Sequence, residues 1–145
     1  MARLEYQKIA PEGFLSFRNV LRYVGKSKLP ETLVQLIYLR VSQINNCPYC
    51  IDLHWQEATK AGEDGRKLNA LSTWQDTPFF SKKERAALAW AEAVTLLVDQ
   101  NMMEELFVLA REHFSEKELV DLTFAAAQMN AFNRVAIAFH TKPTA

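Results

Sequence analysis

Two cysteines, Cys47 and Cys50, are separated by Pro48 and Tyr49, and His54 follows four residues after the second. Proline suits the first position of a helix, because its missing N–H would find no acceptor there and its φ is already helical. The spacing therefore predicts Cys47 at a helix N-cap, Cys50 one turn further on, and His54 on the same face as Cys50 another turn along. A helix N-terminus carries partial positive charge and free N–H groups, both of which favour a thiolate over a thiol. A neighbouring imidazole can take the proton. Such a trio supports nucleophilic sulfur chemistry, in which one thiolate is oxidised to a sulfenic acid and the second cysteine converts it to a disulfide. A bond between positions 47 and 50 closes a very short loop and adds little through chain entropy, so its reactivity is the more informative property. Two thiolates and one imidazole could also ligate zinc, but all three crowd onto one helix with no fourth ligand nearby, and no metal is expected.

The elements that must position this trio read as helices throughout, with no convincing apolar/polar alternation. A first helix is predicted from Pro11 to about Tyr23, ending at Gly25 as a left-handed cap. A second starts at Pro30 and carries Leu33, Leu36, Ile37, Val41 and Ile44 as a buried stripe. Asn45-Asn46 breaks it, and the cysteine helix then runs from Pro48 to Gly62. A short helix from Glu63 to Trp74 and a turn at Asp76-Thr77-Pro78 follow. Ser81…Glu84 and Ser115…Glu118 both fit the capping box and open long helices to Asp99 and to about His140. The last is apolar almost all round, except at Gln128, Asn130, Asn133 and Arg134, which argue against a membrane span. Asn130, Asn133 and Arg134 are expected to find partners within the subunit or across an interface.

With 145 residues and 49% hydrophobic content, one domain over residues 1–145 is expected. Seventeen basic side chains balance seventeen acidic ones, which leaves no overall field for nucleic acid or an anionic membrane. The stretch Met1–Lys8 lacks the apolar run of a secretory signal, and two closely spaced cysteines do not make a secreted disulfide scaffold, so the expected compartment is the cytoplasm.

Cys-Pro-Tyr-Cys matches the redox motif of glutaredoxins, but that motif follows a strand, whereas the segment before Cys47 reads as helical. The run Leu36-Ile37-Tyr38-Leu39-Arg40-Val41-Ser42-Gln43-Ile44-Asn45-Asn46-Cys47-Pro48-Tyr49-Cys50-Ile51-Asp52-Leu53-His54, followed by Ala58 and Ala61-Gly62, resembles the carboxymuconolactone decarboxylase and AhpD-like alkylhydroperoxidase superfamily. The resemblance spans roughly residues 30 to 115. It implies an all-α, AhpD-like helical bundle that assembles as trimers or hexamers, with no prosthetic group. On matching positions it also implies that Cys50 attacks a hydroperoxide, Cys47 resolves it and His54 relays protons, although thioredoxin-type precedent would use the first cysteine. The family places a glutamate twelve residues before the first cysteine, where this chain has Gln35. An amide can orient His54 but cannot act as a carboxylate base. Glu31, one turn earlier, and Glu57, three residues after His54, are candidate substitutes in the relay. Tyr49 stands where the family often has a histidine, and with Trp55 and Trp74 it is a candidate for lining a pocket. His113 is expected at a helix end, and His140 carries no functional signal.

The sequence therefore predicts a thiol-dependent alkylhydroperoxidase or disulfide oxidoreductase that requires an external thiol-disulfide reductant, because the chain holds no second redox pair. Two alternatives remain: a carboxymuconolactone-type decarboxylase, which would not need both thiols, and a non-enzymatic protein whose disulfide switches a binding surface.

Overall fold

The computed structural model describes residues 2–144. Among these residues eight α-helices follow in order: α1 Tyr6–Ile9, α2 Pro11–Gly25, α3 Glu31–Ile44, α4 Pro48–Lys60, α5 Gly65–Asn69, α6 Lys82–Leu96, α7 Gln100–Arg111 and α8 Glu116–Ala138. A 3₁₀ helix, Leu71–Asp76, separates α5 from α6. Among the described residues there is no strand.

α3 is the central element because it is apolar on nearly every side. Leu33, Val34, Leu36, Ile37, Leu39 and Val41 are all buried, and the helix packs against α4, α6 and α8. Small residues let the long helices approach closely. Ala86, Ala87 and Ala91 on α6, and Ala125 and Ala126 on α8, are essentially inaccessible to solvent. Both capping boxes form as the sequence predicts: the Ser81 and Ser115 hydroxyls accept from the Glu84 and Glu118 N–H groups at 3.2 Å, and each glutamate reaches back to its serine N–H. Such caps are each worth about 1 kcal/mol. No helix among the described residues is long and apolar enough to cross a membrane.

Several boundaries differ from the sequence reading, each for a local reason. Gly25 is the last helical residue of α2 and not a left-handed cap; Lys26 follows it at φ −100° and ψ 0°. Pro30 is the N-cap of α3 and not its first residue. The predicted helix over 63–74 is split, with Thr73 at φ −123° and ψ 31° interrupting the 3₁₀ segment. α6 stops at Leu96, because Leu97 turns left-handed at φ 51° and ψ 52°. Asp99, expected at that helix's end, instead N-caps α7, accepting from the Asn101 and Met102 N–H groups at 3.0 and 3.1 Å. α7 itself had no separate sequence signal beyond a helical end near His113.

Candidate active site

Asn46 adopts φ 55°, a left-handed turn that ends α3 and lets the chain re-enter a helix within two residues. Asparagine tolerates that conformation better than most side chains. Cys47 is then the N-cap of α4, its sulfur accepting from the Cys50 N–H at 3.3 Å, with Pro48 at the first helical position. The two cysteines form a disulfide with their Cα atoms 5.3 Å apart, and both are buried.

The turn holding the cysteines is tied to the bundle by buried amides. The Asn45 Nδ2 group donates to the Asn130 and Asn133 side-chain oxygens at 2.9 and 3.0 Å. Asn133 in turn donates to the Ser42 hydroxyl at 3.0 Å, and Asn130 to the Thr95 hydroxyl at 3.0 Å. Arg134 donates back to the Asn130 backbone carbonyl at 3.0 Å. Asn130, Asn133 and Arg134 of α8 thus find partners within the chain, joining α3, α6 and α8 beside the turn that carries the redox pair.

His54 is buried one turn beyond Cys50, against the Tyr38 ring at a centroid distance of 5.0 Å. Its Nδ1 lies 3.0 Å from Gln35 Oε1. An amide oxygen only accepts, so His54 Nδ1–H donates and Nε2 keeps its lone pair. Burial lowers the His54 pKa to about 4, against a smaller upward pull from the Glu57 carboxylate. The ring is therefore neutral at neutral pH.

A cavity of about 390 Å³ opens in front of Cys50 and His54. Tyr49 lines it, as do Phe14 and Arg18 from α2 and Phe132 from α8, whereas Cys47 does not. α1 helps to roof it, because the Tyr6 ring stacks on Phe139 at 5.3 Å and meets Phe14 edge-on at 5.8 Å. On the other side of His54 a second cavity, of about 350 Å³, is lined by Glu31, Gln35 and Tyr38.

The structure thus brings Cys47, Cys50, His54, Gln35 and Tyr49 together. Glu31 is exposed and belongs to the second cavity, away from the sulfurs. Glu57 is paired with Lys60 at 2.7 Å and reaches His54 only through its field. Trp55 is a correction: one residue past His54 the helix has turned it outward, leaving it 46% exposed and outside the cavity. Trp74 is also elsewhere, donating its indole N–H to Glu92 at 2.7 Å. Phe14, Arg18 and Phe132 were missed, since only the packing of α2 on α8, and of α8 on α4, brings them to the cysteines. Among the described residues no cluster of three His, Cys, Asp or Glu side chains is arranged to hold a metal.

The site is thus a disulfide at a helix N-terminus with a neutral histidine one turn behind it, carried on an all-helical bundle. The chain belongs to the carboxymuconolactone decarboxylase family, whose model matches residues 10–93. It is 38% identical over 136 residues to the uncharacterized protein YdfG of Bacillus subtilis, covering 94% of this chain and 92% of that one. A crystal structure of ATU0492 from Agrobacterium tumefaciens, a protein of unknown function proposed as the antioxidant defence protein AhpD, superposes over 100% of both chains with a TM-score of 0.94 and 34% identity. The debrominase Bmp8 shares the fold, with a TM-score of 0.84 and 23% identity over 96% of this chain and 75% of its own.

Proposed function

We propose that this chain is a thiol-dependent peroxidase of the AhpD-like type, in which Cys50 reduces a small organic hydroperoxide. The observation that carries the reading is that Cys50 and His54 face one cavity while Cys47 stands behind them, buried and outside its lining. The Cys50 thiolate attacks the terminal peroxide oxygen, the O–O bond breaks, and the alkoxide leaves as the alcohol after taking a proton. Cys50 is then a sulfenic acid. The Cys47 sulfur attacks it, an S–S bond forms and the S–O bond breaks, and hydroxide leaves as water with the Cys47 proton. Two thiols and one hydroperoxide become one disulfide, one alcohol and one water. With Nδ1–H donated to Gln35, His54 Nε2 is the atom that accepts the Cys50 proton and returns it to the leaving oxygen.

In this cycle the Cys47–Cys50 disulfide is the oxidised end. An external thiol-disulfide reductant restores the dithiol, and the cytoplasm is the setting in which such a partner operates. No cofactor enters the scheme. The reading includes a homo-oligomer, trimer or hexamer, supported by the exposed apolar side chains Val120 and Phe124 on α8.

The test is the intact mass and free-thiol content of the reduced protein after brief exposure to one equivalent of cumene hydroperoxide. Loss of both thiols as an internal disulfide, with cumyl alcohol formed and the reaction abolished in Cys50→Ser, is the expected result. Persistence of both thiols overturns the reading. A decarboxylase would keep its activity in Cys47→Ser, which the proposed cycle does not allow.

A further inference from the structure

The cavity in front of Cys50 is not chemically neutral. Its walls are largely aromatic and apolar, from Tyr6, Phe14, Tyr49, Phe132 and Met129, and among the described residues Arg18 is the only Asp, Glu, Lys or Arg that lines it. Arg18 and Phe14 are i and i+4 on α2, and the guanidinium lies 5.8 Å from the Phe14 ring centroid, held over the aromatic wall. Among the described residues none of the ion pairs includes Arg18. The contrast across His54 sharpens the point, because the second cavity carries Glu31. A guanidinium on a planar wall presents a fork of N–H donors that matches a carboxylate.

Resting on the peroxidase reading, we propose that this cavity selects substrates with an apolar, aryl-sized body and a carboxylate, which Arg18 binds while the peroxide faces Cys50. The volume of about 390 Å³ is in the range that encloses a small drug-sized molecule. Arg18 is exposed at the rim, so the carboxylate need not be fully desolvated to reach it. The arrangement orders the substrate end to end: carboxylate at the rim, rings along the wall, peroxide at the sulfur.

The experiment compares cumene hydroperoxide with its para-carboxylate, which share one aryl body and differ in charge. The ratio of kcat/KM for the carboxylate over the neutral compound should exceed one. In Arg18→Gln it should fall about tenfold, the size of one charge-assisted contact at a partly wet site. Arg22→Gln, one turn further along α2 and outside the cavity lining, should keep the wild-type ratio. A ratio near one in the wild type, or an equal fall in both arginine variants, overturns the proposal. Binding of the unreactive 4-isopropylbenzoate, measured by calorimetry, separates the two readings. If neither hydroperoxide oxidises the thiols but the benzoate binds and weakens about tenfold only in Arg18→Gln, the peroxidase reading fails and the anion site stands. Thiol oxidation without Arg18-dependent discrimination or benzoate binding leaves the peroxidase reading and removes the anion site.

Discussion

Gln35 Oε1 accepts a hydrogen bond from His54 Nδ1–H, with 3.0 Å between the two heavy atoms, across the interface between α3 and α4. A glutamate in the same place would fix the same tautomer and also add a negative charge. Gln35 therefore preserves the orientation of the imidazole while leaving its basicity to burial, which draws the pKa to about 4. Tautomer and basicity are separable properties of a histidine, and this site has one without the usual support for the other.

Gln35→Glu should restore that support. A carboxylate on Nδ1–H stabilises the imidazolium and should raise the His54 pKa by roughly one to three pH units. NMR titration of the His54 ring protons in the oxidised protein checks this directly. A titration still centred near 4 would mean that the position 35 side chain does not govern the ring.

The same burial makes stability depend on pH. His54 titrates near 4 in the fold, below its ordinary value of 6.5, so the unfolded chain takes up a proton first as the pH falls. Between about 6.5 and 4 the unfolded state binds more protons than the native one, and stability is lost progressively. The full loss attributable to this ring is about 3 kcal/mol. Urea midpoints at pH 7 and pH 4.5 should differ more in the wild type than in His54→Gln, which cannot protonate. Equal pH dependence in the two proteins would contradict the assignment.

How much of this was legible in the sequence depended on range. Cys47 as an N-cap, Pro48 at the first position and the two capping boxes follow from hydrogen bonds that span three or four residues, and sequence alone can place those. The pairing of Gln35 with His54 was reachable from helical spacing together with the family pattern. Trp55 shows the limit of proximity along a helix: each residue turns about 100°, so a neighbour of His54 can face solvent. Arg18 shows the limit of local signal altogether, since it sits 32 positions from Cys50 on a helix whose path is set by its packing on α8. Leu97 reversed into the left-handed region against its propensity, which moved a helix end that composition alone would have carried to Asp99.

The amide network behind the cysteines makes a further prediction. Asn133 is fully buried, and its removal takes the donor from the Ser42 hydroxyl and one of the two acceptors from the Asn45 Nδ2 group. Asn133→Ala should therefore cost about 2 to 3 kcal/mol, more than a typical surface change. Denaturant unfolding of the oxidised protein checks the figure. A loss under 0.5 kcal/mol, on the scale of an ordinary surface substitution, would show that the network does not anchor the turn.

In the proposed cycle Cys50 attacks and Cys47 resolves, and trapping the sulfenic acid separates the two roles. Reduced Cys47→Ser and Cys50→Ser proteins are each exposed to one equivalent of cumene hydroperoxide in the presence of dimedone, and the adduct is located by peptide mass spectrometry. The expected result is a dimedone adduct on Cys50 in Cys47→Ser and an unmodified Cys47 in Cys50→Ser. An adduct on Cys47, with Cys50 left untouched in the complementary variant, would contradict it.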